Sequence, residues 1–484
     1  MSGVDRRTVL RGAAVAALGG PFLGFVNRAA GAADGGGPAF RQLRAIPDLR
    51  DGAVRLWLPE GFQYRSFHDT ETPVVLDDGT RLPGRHDGMG AFDAGNGNVV
   101  LVRNHEINNP GTPFGEVSQA YDRMARGGTT TIEVTRFGEV VHAYTSLNGT
   151  QMNCSGGQMP WGSWITCEET VNGPDVGPDF TGAPNTPLQR PHGFIFEVPK
   201  TGQSDRAPIT AAGRFAHEAV AFDPQDGILY LTEDDFGFPS GFYRYVPPEN
   251  PMHTGRLSNG GRLQMLAVRG ERNADLAVTQ PQRATYQVEW VDIEDPAPTF
   301  PPGSPPPTTN EQALTYVARQ GWAQGAAYFS RLEGAVYDTN VVYFVSTQGG
   351  GPAEAGIGPI GDGYGNGYGQ VWAYHTRAQI LQLIYQSPGP DTLDFPDNVT
   401  TSARGTLVVC EDNINDNYIR GLTRGGQLFD IALNRLVGRS GAPRFNDEFA
   451  GSTFSPDGHT LFVNIQASNG LTFAIWGPWH LIGV

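Results

Sequence analysis

One arrangement recurs four times in the second half of the chain: a carboxylate or amide, a short apolar strand, a tight turn and a second apolar strand. The four copies begin at His217, Leu332, Asp397 and Glu448. Each copy predicts a β-hairpin, because short runs of apolar and β-branched residues bounded by Gly, Pro, Asn and Asp are typical of strands. Hairpins repeated along one chain are typical of the blades of a β-propeller.

The intervals between the copies are long, so large insertions must separate them. The sequence contains 65 Gly and 37 Pro among 484 residues, roughly a fifth of the chain and well above average use. Such a chain turns often and leaves little room for long helices; only residues 310–319 have a helical pattern. We therefore predict an all-β fold, a β-propeller with six blades and long loop insertions. An elaborated β-sandwich or barrel is the alternative.

The first residues have the features of an export signal. The paired arginines Arg6 and Arg7 precede an uncharged run over residues 12–26 and the small residues at 30–32. A basic start, a short apolar stretch and a small-residue cleavage site are typical of secretory signals, and the paired arginines indicate the twin-arginine machinery. We predict a signal peptide over residues 1–33 and a single propeller domain over residues 34–484, located in the periplasm or outside the cell. A membrane anchor is the alternative, which the short, glycine-rich run disfavours.

The charge balance limits the partners. The chain has 34 Lys+Arg against 50 Asp+Glu, a formal net charge of −16. Because phosphate backbones require a basic surface, we expect no nucleic-acid-binding surface. We also expect no membrane contact after signal cleavage, and a monomer. The three cysteines cannot form a disulfide framework, and we expect Cys154 and Cys410 to be core or cross-linked residues.

Acidic residues collect at the ends of the apolar strands. Six such clusters are present, at residues 104–106, 167–169, 217–218, 233–235, 411–413 and 446–448. In a propeller the strand ends surround a central channel, so carboxylates from several blades converge on a small volume. Carboxylates packed without counter-charge repel one another and their pKa values rise. We therefore predict bound cations there, although any single acidic pair taken alone is better explained by a solvated surface.

The residue types in these clusters indicate which cations bind. Carboxylate and amide oxygens suit hard cations such as Ca²⁺. Cys167 beside Glu168 adds a thiol, which favours a softer or trivalent transition-metal ion. The alternative for Cys167 is a small buried residue that ends a strand.

Arg331 is the candidate anion-binding residue. It lies two residues before Glu333 and therefore on the same face of an extended strand. Its planar guanidinium suits a pair of phosphate oxygens; neutralising a neighbouring acid is the alternative role. The sequence has no nucleophile elbow and no Walker loop. The glycine-rich segment 349–369 is predicted to be a flexible insertion in preference to a ligand-binding loop.

Five segments together resemble the PhoX-type alkaline phosphatases. They are the twin-arginine leader, Arg103–Glu106, Asn153–Glu169, Gly213–Ala219 and Arg331–Gly334. The resemblance covers nearly the whole mature chain, and its most specific part is the W-G-x-W-x-T-C-E-E stretch over residues 161–169. It implies a six-bladed propeller that carries two ferric ions bridged by oxygen, with calcium ions nearby. It also implies hydrolysis of phosphate monoesters, and some diesters, outside the cytoplasm.

The resemblance also implies roles for particular residues. Cys167 is expected to be the thiolate iron ligand, Glu218 and Glu333 to be further metal ligands, and Arg331 to hold phosphate; these four are the expected catalytic residues. Further metal ligands are expected at Glu106 and Glu168 in the same centre, and at Glu169, Asp235, Glu411 and Asp412 for calcium. Two alternatives are a calcium-dependent propeller lactonase, which needs no thiolate, and a secreted calcium-binding protein without catalytic activity.

Overall fold

The structure is a computed structural model that describes residues 42–258 and 260–484. The predicted signal peptide, residues 1–33, lies outside the described residues. The described chain contains twenty-six strands. The first eight are β1 (Leu43–Pro47), β2 (Val54–Pro59), β3 (Gln63–Phe67), β4 (His86–Asp93), β5 (Val99–His105), β6 (Gly127–Val134), β7 (Val140–Thr150) and β8 (Asn153–Met159). The next eight are β9 (Ser163–Glu168), β10 (Ile195–Pro199), β11 (His217–Asp223), β12 (Ile228–Glu233), β13 (Phe242–Val246), β14 (Arg262–Val268), β15 (Thr285–Asp292) and β16 (Leu332–Asp338). The last ten are β17 (Val341–Ser346), β18 (Gln370–His375), β19 (Ile380–Gln386), β20 (Pro396–Thr401), β21 (Leu407–Glu411), β22 (Tyr418–Leu422), β23 (Leu428–Asn434), β24 (Glu448–Phe454), β25 (Thr460–Gln466) and β26 (Leu471–Trp476).

Helix is confined to short segments. α1 (Asn310–Leu314) and α2 (Tyr316–Gln324) lie where the sequence has its helical pattern. α1 begins with a capping box: Thr309 Oγ1 accepts a hydrogen bond from the Gln312 N–H at 3.2 Å, and the Gln312 side chain accepts one from the Thr309 N–H at 3.0 Å. No helix in the described ranges is long and apolar enough to cross a membrane.

The strands pair antiparallel with their neighbours in sequence. One sheet contains β4 to β7 and another contains β8 to β10. Strands β11 to β15 and β16 to β19 are joined through β15 and β19 into one nine-stranded sheet. Two further sheets are built from β20 to β23 and from β24 to β26.

Strands from the beginning of the described chain complete the last two sheets. β3 pairs with β26, and β2 pairs with β23 and carries β1 on its outer side. These pairings join the two ends of the described chain and close the architecture.

The first strands of successive units form a ring. β4 packs against β8, β8 against β11, β11 against β16, β16 against β20, β20 against β24, and β24 against β4. Apolar side chains fill the space between neighbouring units; Phe242 of β13 and Phe344 of β17, for example, stack at 4.3 Å between ring centroids. The predicted all-β, propeller-like fold is confirmed. The number of blades stays a prediction, which the six first strands of the ring support.

Candidate metal centre

Each of the six first strands departs from regular pairing near its start. The register shifts at residues 86–89 in β4, 153–156 in β8, 217–220 in β11, 332–335 in β16, 396–399 in β20 and 450–453 in β24. Such a bulge leaves residues without a partner in the hydrogen-bonded ladder of the sheet and changes the direction in which their side chains point. In all six strands the irregularity falls at the same end of the ring.

Five of the six irregular positions carry side chains that can bind a metal. The first residues inside the six shifts are Asp87, Cys154, Glu218, Glu333, Asp397 and Gly451. A second set directly follows the second strand of each unit: Glu106, Glu169, Asp234, Thr347, Asp412 and Ala467. The paired ends of the first and second strands bring both sets to one end of the ring.

Six of these buried side chains, together with Glu448, form a continuous row. Cys154, Glu169 and Glu218 make one group, Glu218, Glu333 and Asp397 a second, and Asp397, Asp412 and Glu448 a third. Within each group the ligand atoms all lie within 4.8 Å of one another. Because neighbouring groups share Glu218 or Asp397, we refer to the seven side chains together as the ligand row.

The ligand row concentrates negative charge in a buried space. Burial raises the pKa of the Glu218 carboxyl well above its ordinary value, and the carboxylates of Asp397 and Glu169 raise it further. Burial likewise raises the pKa of Glu333, with Asp397 and Asp234 adding to the effect. The Oε2 atoms of Glu218 and Glu333 are buried and accept no hydrogen bond from the protein. Because moving a carboxylate from water into a protein interior costs on the order of several kcal/mol unless its charge is compensated, these residues fit bound cations.

The donor types differ along the row. At one end the Cys154 sulfur joins carboxylates, a combination that suits a transition-metal ion. At the other end Asp397, Asp412 and Glu448 offer oxygen only, which suits Ca²⁺. The residues present therefore fit both kinds of metal that the sequence led us to expect.

Arg331 lies at the edge of the ligand row. Its Nη2 and Nε donate to the two carboxylate oxygens of Asp234 at 2.8 and 3.2 Å, and Nη2 also donates to Glu333 Oε1 at 3.0 Å. The guanidinium lies 5.1 Å from the centroid of the Phe236 ring. The backbone φ of Arg331 is +38°, a left-handed conformation that costs about 1–3 kcal/mol in a non-glycine residue. The surrounding contacts thus hold one positive charge beside the carboxylates.

The glycine-rich segment 349–369 supports Arg331 through Gln348. Gln348 Oε1 accepts a hydrogen bond from Arg331 Nη1 at 3.4 Å, and its Nε2 donates to the Asp362 and Gly365 carbonyls. Gly363 has a φ of +96°, and a Cβ there would lie 2.0 Å from Gln348 Oε1. Part of this segment is therefore packed closely beside the candidate site, which differs from the flexible insertion that we predicted.

The structure brings together several residues that the sequence singled out. Glu169, Glu218, Glu333 and Asp412 belong to the ligand row, and Arg331 contacts Glu333. Glu106 is not one of the seven; it lies close to Asp87, because Gln466 Nε2 donates to Glu106 and also to Asp87 Oδ2, the latter at 3.1 Å.

Glu168 has a different environment. Its carboxylate accepts hydrogen bonds from the backbone N–H groups of Gln151 and Gly193, both at 2.9 Å, and lies 2.6 Å from His192 Nδ1. Burial alone would lower the pKa of His192, but the charges of Glu168 and Asp122 raise it to about 9. Glu168 therefore orders the segment around His192 and lies outside the ligand row.

Glu411 and Asp235 also lie outside the row. Arg420 Nε donates to Glu411 Oε1 at 2.8 Å, and the Tyr418 N–H donates to its Oε2 at 3.1 Å. Burial raises the pKa of Glu411 to about 7, and the Arg420 charge opposes that shift. The backbone N–H of Asp235 donates to Ser240 Oγ at 3.2 Å, and it is the preceding residue, Asp234, that holds Arg331.

The cysteines are arranged differently from our expectation. Cys167 lies on the second strand β9, in an apolar cluster that also contains Ile165 and Leu231. Cys154 packs against the same cluster, but its sulfur is the one close to the Glu169 and Glu218 ligand atoms. All three cysteines are free, so the cross-link that we allowed for Cys154 and Cys410 is wrong. Cys154 lies on a first strand, as Glu218 and Glu333 do, whereas Cys167 lies on a second strand. This position favours Cys154 over Cys167 as the thiolate ligand.

Sequence reasoning did not name five residues of the row or its surroundings as ligand or supporting residues: Asp87, Cys154, Asp234, Asp397 and Glu448. A signal was present, because the segments H-D-G, N-C-S, H-E-A, L-E-G and P-D-N each place one ligand-type residue second and a small or amide side chain third. Aligning those short segments would have shown that Cys154 and Glu218 occupy equivalent positions.

The comparisons with known proteins agree with this architecture. A family model described as alkaline phosphatase PhoX matches residues 42–143 and 138–469. The solved structure of Pseudomonas fluorescens PhoX in complex with vanadate, a transition state analogue, is 17% identical, with a TM-score of 0.62, and the match covers 90% of this chain and 98% of that one.

Less similar is a gluconolactonase from Xanthomonas campestris, 12% identical with a TM-score of 0.38 over 89% of this chain and 97% of that one. A comparison with curated protein sequences found no match. The family model extends over most of the chain, and the Pseudomonas fluorescens structure has the same fold. This chain is therefore a hydrolase that belongs to the PhoX family of alkaline phosphatases.

Proposed function

We propose that this protein is an exported, metal-dependent phosphatase that hydrolyses phosphate monoesters, and some diesters, at the ligand row. The observation that carries the proposal is a row of seven buried ligand side chains in which two carboxylate oxygens, Oε2 of Glu218 and of Glu333, lack a hydrogen-bond partner. A positively charged side chain, Arg331, is fixed at the edge of that row.

The ions proposed are two ferric ions and several calcium ions. Cys154, Glu169, Glu218 and Glu333 would hold iron, since this end of the row contains the sulfur donor. Asp397, Asp412 and Glu448 would hold calcium through oxygen alone. When bound, such ions supply the positive charge that attracts ester oxygens and offsets charge developing during phosphoryl transfer.

Arg331 is proposed to orient the substrate. Asp234 fixes the guanidinium from one side and Phe236 covers one of its faces, so its direction is set before substrate arrives. A guanidinium can donate to two phosphate oxygens in one plane. The neighbouring carboxylate of Glu333 keeps the arginine beside the ligand row, where the phosphoryl group would have to lie.

Elemental analysis and a phosphatase assay on the purified protein test the proposal. The as-purified protein should contain close to two iron atoms, with calcium, and should hydrolyse p-nitrophenyl phosphate. Treatment with a strong chelator should abolish turnover, and adding Fe³⁺ and Ca²⁺ should restore it. Glu333→Gln should lose both metal and turnover, whereas Glu289→Gln, a change at an exposed glutamate on β15, should keep both.

Two outcomes would contradict the proposal. Phosphatase turnover that survives complete removal of metal would mean that the ligand row is not needed for the reaction. Hydrolysis of a lactone without hydrolysis of p-nitrophenyl phosphate, in protein that contains calcium but no iron, would favour the lactonase alternative.

Export through the twin-arginine machinery and a location in the periplasm or outside the cell are part of the same proposal. They rest on the sequence of residues 1–33. Replacing both Arg6 and Arg7 by lysine should retain the phosphatase in the cytoplasm of the producing cell, as measured by fractionation.

A further inference from the structure

Asn104 is a buried amide that touches the backbone of the strand carrying Cys154. It is the last residue but one of β5 and is fully buried. Its Nδ2 donates hydrogen bonds to the Cys154 carbonyl at 3.0 Å and to the Ser155 carbonyl at 2.8 Å. Both bonds cross from one unit of the ring to the next.

The side-chain oxygen of Asn104 also forms hydrogen bonds. Asn104 Oδ1 accepts a hydrogen bond from Trp164 Nε1 at 2.9 Å and one from Thr166 Oγ1 at 2.9 Å. Turning the amide by 180° would place its NH2 group against the Trp164 N–H and its oxygen against the two carbonyl oxygens. The four bonds therefore fix one orientation of the side chain, between strand β8 and strand β9.

The backbone that Asn104 holds is the irregular part of β8. Cys154 and Ser155 lie inside the register shift between β8 and β9, where the ladder does not pair them. A buried carbonyl without a partner is costly, and Asn104 supplies partners for two of them. It thereby stabilises the backbone conformation that directs the Cys154 sulfur toward Glu169 and Glu218.

Equivalent contacts occur at other ligand positions. Thr232 Oγ1, on the second strand β12, donates to the Glu333 carbonyl at 2.6 Å and accepts from the Ala219 N–H at 2.9 Å. Asn464 Nδ2, on β25, donates to the Asp87 carbonyl at 2.5 Å. In each case an uncharged side chain from a second strand holds the irregular backbone of a first strand in the next unit.

We propose that Asn104 is a positioning residue of the metal centre, which fixes the irregular backbone of β8 so that the Cys154 thiolate can bind metal. The inference rests on the proposed function, because it takes Cys154 to be a metal ligand. Asn104 acts through hydrogen bonds to the Cys154 and Ser155 carbonyls and does not itself touch substrate. This positioning role explains why Asn104 lies in the Arg103–Glu106 segment, for which the proposed reaction has no use.

The test measures iron binding in Asn104 variants. Asn104→Leu removes all four hydrogen bonds, and Asn104→Asp keeps the shape and an acceptor oxygen while removing the two donated bonds. Both variants should bind Fe³⁺ about 10–100-fold more weakly than the wild type, as residues supporting metal ligands generally do when replaced. Binding is measured by titrating Fe³⁺ into chelator-treated protein and by elemental analysis of the protein as purified.

Two controls separate positioning from general stability. Asn185 is a buried amide of a loop, and its Nδ2 donates to Asn172 Oδ1 at 3.1 Å and to the Gly177 carbonyl at 2.8 Å. Asn185→Leu should lower thermal stability and leave iron binding at the wild-type level. In a Cys154→Ser background, Asn104→Leu should cause no further loss of iron affinity, because two residues that act through one ligand are not additive.

The outcomes distinguish the inference from the proposed function. If Cys154→Ser weakens iron binding but Asn104→Leu and Asn104→Asp do not, the positioning role is wrong and the proposed function stands. If Cys154→Ser itself leaves iron binding unchanged, the thiolate ligand and the role of Asn104 are both wrong. Additive losses in the double variant would likewise overturn the positioning role.

Discussion

Removing metal from the protein should make its stability fall as the pH rises. The reason lies in Glu218 and Glu333, whose carboxyls are buried and whose pKa values are raised well above their ordinary value of 4.5. In the unfolded chain these groups release their protons near that ordinary pKa. In the folded, metal-free protein they keep them to higher pH. Above pH 4.5 the unfolded state therefore binds fewer protons than the folded state, and the free energy of unfolding decreases with pH.

The size of the effect follows from the number of protons. Each carboxyl that stays protonated only in the folded state lowers the free energy of unfolding by about 1.4 kcal/mol per pH unit. Because the charge of Glu218 contributes to the raised pKa of Glu333, between one and two protons take part at a given pH. We therefore expect a slope of about 1.4–2.7 kcal/mol per pH unit, which corresponds to a few degrees of Tm.

Thermal unfolding between pH 5 and pH 8 measures this slope in chelator-treated and metal-loaded protein. Other buried groups, such as His192, titrate in both forms and cancel in the difference. Glu218→Gln should flatten the slope of the chelator-treated protein, because an amide does not titrate, and exposed Glu289→Gln should leave it unchanged. A Tm difference between the two forms that is constant or shrinks with rising pH would refute the reasoning.

Three further predictions follow from individual contacts. Cys154→Ser should lower the iron content of the purified protein and Cys167→Ser should not, as elemental analysis would show; the reverse result would restore Cys167 as the ligand. Arg331→Lys should retain metal but raise KM for p-nitrophenyl phosphate by about 10-fold or more, because lysine cannot donate to two oxygens in one plane. Steady-state kinetics measures KM, and an unchanged KM would show that Arg331 does not bind substrate. Asp175→Asn should lower the free energy of unfolding by about 3–5 kcal/mol, since Arg214 donates to both Asp175 oxygens and is buried. Urea denaturation measures the loss, and a loss of less than about 1 kcal/mol would contradict the prediction.

The fold could be predicted because its signals are local. Apolar runs of strand length, separated by turn residues, predict hairpins from a few neighbouring residues. Glu218 and Glu333 also lie in such repeated segments, at the starts of β11 and β16, but their expected role as metal ligands came from the family resemblance. The helical pattern at residues 310–319 likewise corresponds to α1 and the start of α2.

The composition of the site depends on distant contacts that a single sequence does not display. Glu411 and Asp412 are adjacent acids at one strand end, yet Arg420 pairs with the first and the ligand row contains the second. The choice between Cys154 and Cys167 depends on which strand lines the ring and on a register shift in that strand. Neither property follows from the spacing of the two cysteines.

The pairing of β3 with β26 has a consequence for the order of events during synthesis. Gln63 of β3 lies opposite Trp476 of β26, so the last sheet is incomplete until residue 476 has left the ribosome. Contacts between residues so far apart in sequence form slowly. A chain synthesised only as far as β25 therefore lacks the complete ring, and metal insertion should follow the synthesis of β26.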